Sequence, residues 1–315
     1  LSPRAGLAWD LVGDGRTGCA SGIELYGNVH LVVVEDTYIS DMGGGDTGLY
    51  GNNVDSVVIR RSRFSDINDY AIRVNAYAYS GGGRVPAALS VALVVDSSRF
   101  VRNGYVPIYV YDLRSALIAH TVIDVRTTSD DALKLYGIDS AYVRLVGDSI
   151  LLDPDNYYNR WFYGAGFDSA LVDSTRVVGA ACGGYLGGVD YVRVRNSSFT
   201  GSGANYYCNY YYGSDALLDV SPNRLPTATI VVDSVTATGL SSCPRCMDFV
   251  RSGGARVTLN RLRLDNFDTG IYSGDSSVTV TNSVFTNGYD AIEAYSSSSA
   301  PQRLVVRNVA FTDVE

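Results

Sequence analysis

An all-β solenoid is the fold class this sequence predicts, and three observations carry the prediction. A short β-branched run ending in a polar and then an apolar residue recurs eleven times, as in VDSVVIRRSRF from Val54, VDYVRVRNSSF from Val189, SSVTVTNSVF from Ser276 and PQRLVVRNVAF from Pro301. The aligned polar step falls at Asp36, Arg61, Ser97, His120, Gly147, Asp173, Asn196, Asp233, Asn260, Asn282 and Asn308, with spacings of 25, 36, 23, 27, 26, 23, 37, 27, 22 and 26 residues. Such self-similarity marks units that cannot bury their own apolar face and stack to share a core. A second strand signal precedes each run: an acidic residue, a small one, then an apolar–variable–apolar triplet, as in DYAIRV from Asp69, DDALKL from Asp130, DALLDV from Asp215, DTGIY from Asp268 and DAIEA from Asp290. Third, alternation of period two bounded by Gly, Asn, Asp and Ser reads as strand, and no helical period of useful length interrupts it.

Each coil is thus about two dozen residues with two or three short strands, too short for a helix-bearing leucine-rich horseshoe. The pattern resembles the right-handed parallel β-helix proteins, the group of pectate lyases, polygalacturonases, alginate epimerases and many surface proteins. The resemblance covers residues 20–315 and implies a right-handed parallel β-helix of about eleven coils. It is specific for fold and unspecific for activity, because one scaffold hosts many chemistries. Residues 1–19 read as an N-terminal lead-in or cap, and 20–315 as one domain of a longer chain. With strands about 4.8 Å apart, eleven coils make a rod of roughly 50 Å. Val57, Ile59, Val192, Val194, Val278 and Val280 are expected inside it as stacked rows.

A formal charge of −8 and a pI near 4.8 argue against a nucleic-acid partner, which requires a basic stripe. No run of 18 apolar residues is available to span a membrane. The opening LSPRAGLAWDL lacks a charged-then-apolar signal pattern. The closing FTDVE follows the last repeat without a covering element, so a neighbouring subunit or further chain is expected against that open coil.

Cys182, Cys208, Cys243 and Cys246 fall at one relative place in three successive coils, while Cys19 stands apart. Disulfides across that corner, with Cys182–Cys208 and Cys243–Cys246 as first choice, imply an oxidising, extracellular or cell-surface setting. CPRC from Cys243 lacks a second CxxC and a βαβ context, which favours a local staple over a redox or metal motif. Two excursions break the period, NYYNRWFYG from Asn156 and NYYCNYYYG from Asn205. Both leave after the same strand, so Tyr157, Tyr158, Trp161, Tyr163, Tyr206, Tyr207, Tyr210, Tyr211 and Tyr212 are expected to form one aromatic ligand-binding surface. A glycan is the natural ligand, since sugar C–H faces stack on aromatic rings; a partner protein is the other. A third insertion, NAYAYSGGGRVPAA from Asn75, reads as a flexible loop.

Catalytic candidates are few. SDDALKL from Ser129 is similar to the paired-aspartate strand of polygalacturonases, where two carboxylates act as general acid and base. The preceding coil lacks the third aspartate, no GHG or RIK motif follows, and Asp131 occupies the repeat's ordinary turn position, leaving only Asp130 extra. A lyase or epimerase would instead need a base and a cation beside a uronate carboxylate. Arg73, Tyr109 and Lys134 align at equivalent outward positions on three consecutive coils, flanked by Asp69, Asp130 and Asp131, and would hold an acidic polysaccharide, with Lys134 or Tyr109 as base; an ordinary solvated row of alternating charge is the plainer reading. His30 and His120 fall at different places in the repeat, so no His-centred triad or metal site is expected. No cofactor is indicated, and calcium has only scattered aspartates to bind. Asn196, Asn282 and Asn308, with Asn260 close by, are expected as an inward ladder along one turn. The reading that follows is an extracellular binding or structural domain, an adhesin-like module recognising glycan or protein; a polysaccharide lyase, epimerase or glycoside hydrolase and a self-assembling fibre subunit are the alternatives.

Overall fold

The computed structural model describes residues 22–26, 29–42, 45–80, 83–86, 90–126, 131–153, 159–180, 183–201, 216–221, 228–239, 248–296 and 302–314. Among these the chain is all-β, without a helix. Every strand pairing is parallel except one hairpin.

The parallel strands fall into three ladders, each strand pairing with those about one period before and after it. In the first, Val32, Val57, Leu93, Ala116, Val143, Ala170, Val192, Ile230, Val257, Val278 and Leu304 are successive partners. In the second, the succession is Ile39, Phe64, Phe100, Ile123, Ile150, Val177, Phe199, Ala237, Leu264, Phe285 and Phe311. The third runs from Ile23–Leu25, Leu49–Asn52 and Ile72–Asn75 to the C-terminal parts of Arg263–Gly274 and Ser277–Tyr295. Strand alternation sends every second side chain inward, and the expected core valines and isoleucines, Val57, Ile59, Val192, Val194, Val278 and Val280, are all buried. Like residues stack rung on rung; the Phe64 and Phe100 rings lie 5.2 Å apart and nearly parallel. The last rung, Leu304–Val314, leaves Leu304, Val306 and Phe311 exposed.

The first and second ladders meet at one left-handed residue per rung: Asp36, Arg61, Ser97, His120, Gly147, Ser174, Asn196, Ser234, Arg261, Asn282 and Asn308. Its N–H donates to a carbonyl of the next rung, as from Asp36 to Arg60 at 3.1 Å and from Gly147 to Asp173 at 2.9 Å. The sequence alignment is therefore one residue early at Asp173, Asp233 and Asn260, which end strands; Ser174, Ser234 and Arg261 turn the corner. The expected inward Asn ladder is also corrected. Asn196, Asn282 and Asn308 are exposed, and they bond side chain to side chain: Asn196 to Asp173 at 3.2 Å, Asn282 to Asn260 at 2.9 Å, Asn308 to Asn282 at 2.8 Å. Except on the rungs of Val235, Leu262 and Val309, the inward position belongs to the next residue, a small hydroxyl. Its oxygen accepts the backbone N–H of the rung before, from Ser62 to Ser98 at 3.1 Å, Ser98 to Thr121 at 3.4 Å, and Thr175 to Ser197 at 3.2 Å. These buried amides sit where the chain bends out of sheet geometry, and each unpaired one would cost about 1–3 kcal/mol. Asp148 takes the hydroxyl's place on one rung.

The insertion after Asn75 forms an antiparallel hairpin of Tyr77–Ser80 with Gly83–Pro86, pairing Tyr77 with Pro86 and Ser80 with Gly83. It is not the flexible loop that its glycines imply: Tyr77, Tyr79 and Val85 supply β-favouring residues to the two paired arms.

Candidate functional site

The third ladder carries the site. Its central outward position reads, in register, Glu24, Tyr50, Arg73, Tyr109, Lys134, Tyr163, Tyr185, Asp219, Arg251, Tyr272 and Glu293. Arg73, Tyr109 and Lys134 thus sit side by side on successive rungs, and Tyr163 extends them. Two residues farther along, the next outward position adds Tyr136, partner of Ala165.

Aromatic packing makes this row continuous. Tyr70 stacks on Tyr109 at 5.1 Å, Tyr109 meets Tyr111 edge-on at 4.8 Å, Tyr111 stacks on Tyr136 at 4.7 Å, Tyr136 meets Tyr163 at 5.7 Å, and Tyr163 stacks on Tyr185 at 5.4 Å. Cations lie between the rings. The Arg73 guanidinium is 5.0 Å from the Tyr70 ring and 5.8 Å from Tyr109, and the Lys134 ammonium is 5.8 Å from Tyr109 and 5.7 Å from Tyr163. Within about 6 Å of a ring face such contacts are attractive and strengthen as water is excluded. Asn52 donates to the Tyr50 hydroxyl at 2.7 Å, and Asn75 donates to Asn52 at 2.7 Å, fixing the N-terminal end of the row.

Burial sets the electrostatics. Tyr109 is only 8% exposed, and burial, with the hydrogen bond between its hydroxyl and that of Tyr111, pushes its phenol far above the ordinary value. Tyr136 is pushed up in the same way, by burial first and then by Tyr163 and Tyr111. These rings are neutral hydrogen-bonding phenols at any physiological pH, and Tyr109 is a poor general base. Burial also raises the Asp69 carboxyl, partly offset by Thr47, whose hydroxyl donates to it at 3.2 Å, and by Arg73.

Asp131 is committed elsewhere. It is fully buried, and both its oxygens receive Arg160: Nε to Oδ1 at 2.7 Å and Nη2 to Oδ2 at 2.8 Å. Lys134 Nζ stands 3.8 Å from Oδ2, and the Arg160 guanidinium is 4.2 Å from the Tyr163 ring. A carboxylate clamped bidentately in the interior anchors the row from below and offers no free oxygen edge to a glycosidic bond. His120 is exposed at the corner of the first ladder beside Asp96, with Nδ1 3.3 Å from Oδ1, and His30 is exposed on another rung. Neither histidine sits on the third ladder.

Trp161 overturns its assignment as a surface residue. Its side chain is 0% exposed, packs on Phe162 at 5.6 Å and Phe199 at 5.7 Å, and donates its indole N–H to the Leu217 carbonyl at 2.9 Å. A ring this large at the threshold of the strand Phe162–Asp173 fills the interior rather than facing solvent. The flanks of the two Tyr-rich excursions follow the expectation: one leaves after Ser149–Leu152, the other after Ser198–Gly201, second-ladder strands separated by Arg176–Ala180. Tyr157, Tyr158, Tyr206, Tyr207, Tyr210, Tyr211, Tyr212, Asp130 and the cysteines Cys19, Cys182, Cys208, Cys243 and Cys246 lie outside the described residues. Among the described residues no group of His, Cys, Asp and Glu is placed to hold a metal ion, and no helix is long and apolar enough to cross a membrane.

Sequence reasoning missed Tyr50, Tyr70, Tyr111, Tyr136, Tyr185 and Arg160. Carrying the central triplet position of the acidic-small-apolar signal through every repeat, instead of three, finds Tyr50 and Tyr185; Tyr70 and Arg160 come from turns, where no period marks them. Comparison of the chain with protein-family models, with curated proteins and with solved structures returned no match.

Proposed function

We propose that this chain is a right-handed parallel β-helix of about eleven coils, extracellular or at a cell surface, that binds an acidic polysaccharide along the outward row of its third ladder. The observation that carries the reading is the unbroken register Tyr50, Arg73, Tyr109, Lys134, Tyr163, Tyr185. Its two cations are two rungs apart, about 10 Å, with rings packed between and beyond them. Aromatic faces take the C–H faces of successive sugars, and Arg73 and Lys134 take carboxylates on the same chain. Rings already packed against one another lose little freedom on binding, which favours affinity. The coiled reading draws on the parallel succession of partners at the sequence period, and the extracellular one on the spacing of the cysteines.

Binding without turnover is favoured over lyase or hydrolase chemistry, because Asp131 is tied to Arg160 and the Tyr109 phenol resists deprotonation. Calorimetry with oligogalacturonate and oligoglucuronate tests the reading. Binding should weaken with salt and fall about tenfold or more in Arg73→Ala and Lys134→Ala, with no unsaturated or shortened product. Absence of uronate binding, or affinity unchanged in the double variant, refutes it; product formation abolished by Lys134→Ala would establish the enzyme instead.

A further inference from the structure

Toward the C-terminal end the same face changes character. The second outward position, filled by Tyr136 on one rung, becomes Ala165 and Gly187, then Ser221, and farther on Gly253 and Gly274, before Tyr295 closes the row. Two of these small residues are covered. The Tyr185 hydroxyl lies 2.7 Å from where a Gly187 Cβ would stand, and the Tyr295 hydroxyl lies 2.6 Å from a Gly274 Cβ. Gly253 is different: a side chain there would meet nothing within 4 Å. Around Gly253 lies a groove of about 320 Å³, walled by Asp219, Arg251, Tyr272, Asp275 and Tyr295.

The walls are ordered by their own contacts. Arg251 lies 4.9 Å over the Tyr272 ring, and Tyr272 and Tyr295 pack at 5.4 Å. Asp275 Oδ1 accepts from Ser296 and Gln302, each at 3.3 Å. Volume places the groove at the small end of ligand sites, which run from about 300 to 1,000 Å³. Two carboxylates against one guanidinium repel an anion, yet a carboxylate carries about four acceptor sites, enough to serve ligand hydroxyls besides its protein partners.

We propose that this groove is a second saccharide site, taking a neutral sugar unit whose ring rests on Tyr272 and Tyr295 and whose hydroxyls donate to Asp219 and Asp275 and accept from Arg251. It selects against the uronates that the Arg73–Lys134 row would take. The proposal stands apart from that row: the two share a ladder but no residue.

Saturation-transfer NMR on the whole chain tests it, using the methyl glycosides of glucose, galactose, mannose and N-acetylglucosamine, with methyl galacturonate as the charged counterpart. The background is Arg73→Ala with Lys134→Ala, which silences the other row. At least one neutral glycoside should give transfer that falls tenfold or more in Gly253→Tyr, a substitution with open space to occupy, and in Asp219→Asn, while methyl galacturonate gives none. Circular dichroism melts report whether either variant folds, and loss in a folded variant of either kind supports the site. Silence from all four neutral glycosides, transfer that survives both substitutions, or equal transfer from methyl galacturonate overturns it.

Discussion

Replacing Asp148 by threonine should stabilise the protein at alkaline pH and not at acid pH. Asp148 is 2% exposed and holds the place of a hydroxyl in the internal corner ladder. Its Oδ1 accepts the Thr121 N–H at 2.8 Å and its Oδ2 the Val146 N–H at 3.0 Å. Burial pushes its carboxyl up to about 7, against the pull of those two donors and of His120, and with a small push from Asp96. An exposed aspartate titrates near 3.9. The folded state therefore holds this proton more tightly than the unfolded state, so the stability present below about pH 4 is lost as pH rises through about 7 and stays lost above it. A gap of about three units corresponds to roughly 4 kcal/mol at the plateau. Thr121, Ser98 and Ser197, at the aligned positions, each donate to the carbonyl two residues earlier and accept from the rung before. Threonine at 148 can do the same without a charge, at the loss of the Val146 bond, about 1 kcal/mol. Between about pH 4.5 and pH 8.5 the stability difference between variant and parent should therefore swing by ~3 kcal/mol in favour of the variant. Urea unfolding at the two pH values measures it. A difference that is the same at both, or a variant less stable at the higher pH, refutes the argument.

Three further outcomes follow from the geometry. Asp131→Asn leaves the Arg160 guanidinium buried with half its partner, and should cost about 3–5 kcal/mol in the same unfolding assay. Trp161→Ala empties a filled interior and should cost about 3–5 kcal/mol, without altering glycan affinity by more than its loss of folded protein. Lys134→Gln keeps the stem that packs between rings but removes the charge, so uronate affinity should fall while its remaining salt dependence becomes shallower, read by calorimetry at two ionic strengths.

The rows of the core were legible because period two leaves no choice: shifting Val192 and Val194 by one residue would put them in water. The corner was harder. Asp173–Ser174, Asp233–Ser234 and Asn260–Arg261 each offer two polar residues, and sequence favours Asp or Asn for a left-handed turn, whereas register decides the matter here in favour of Ser and Arg. The hydroxyl ladder inside the corner was invisible for a related reason. Ser62, Ser98 and Ser197 look like surface residues until the neighbouring rung supplies the amide that needs them. Trp161 was misread because it sits in an aromatic excursion, yet it immediately precedes an inward strand position, where size and an available carbonyl decide its side. For the candidate site, three residues of the row could be placed from alignment alone, but its continuity depends on Tyr70, Tyr111 and Tyr136, whose contact across rungs follows from side-chain direction and not from spacing.

The same packing fixes what the row can do chemically. Tyr109 and Tyr136 are held well above the ordinary phenol value by burial and by neighbouring hydroxyls, and Tyr185 is raised by burial. For each, the folded state binds the proton more tightly than the unfolded state, so their stability contribution is intact below about pH 10 and is lost as pH rises beyond it. An ultraviolet difference titration should then show two classes of tyrosine: one that ionises reversibly with the β signal intact, and one that ionises only as circular dichroism reports unfolding. Tyr109→Phe removes one member of the second class and should leave uronate affinity within about threefold, since its ring and not its proton makes the contact with Arg73 and Lys134. If every tyrosine titrated reversibly near pH 10 with the β signal intact, the row would be solvated and loosely packed. Tyr109 would then be available as a base, and the argument for binding without chemistry would lose its footing.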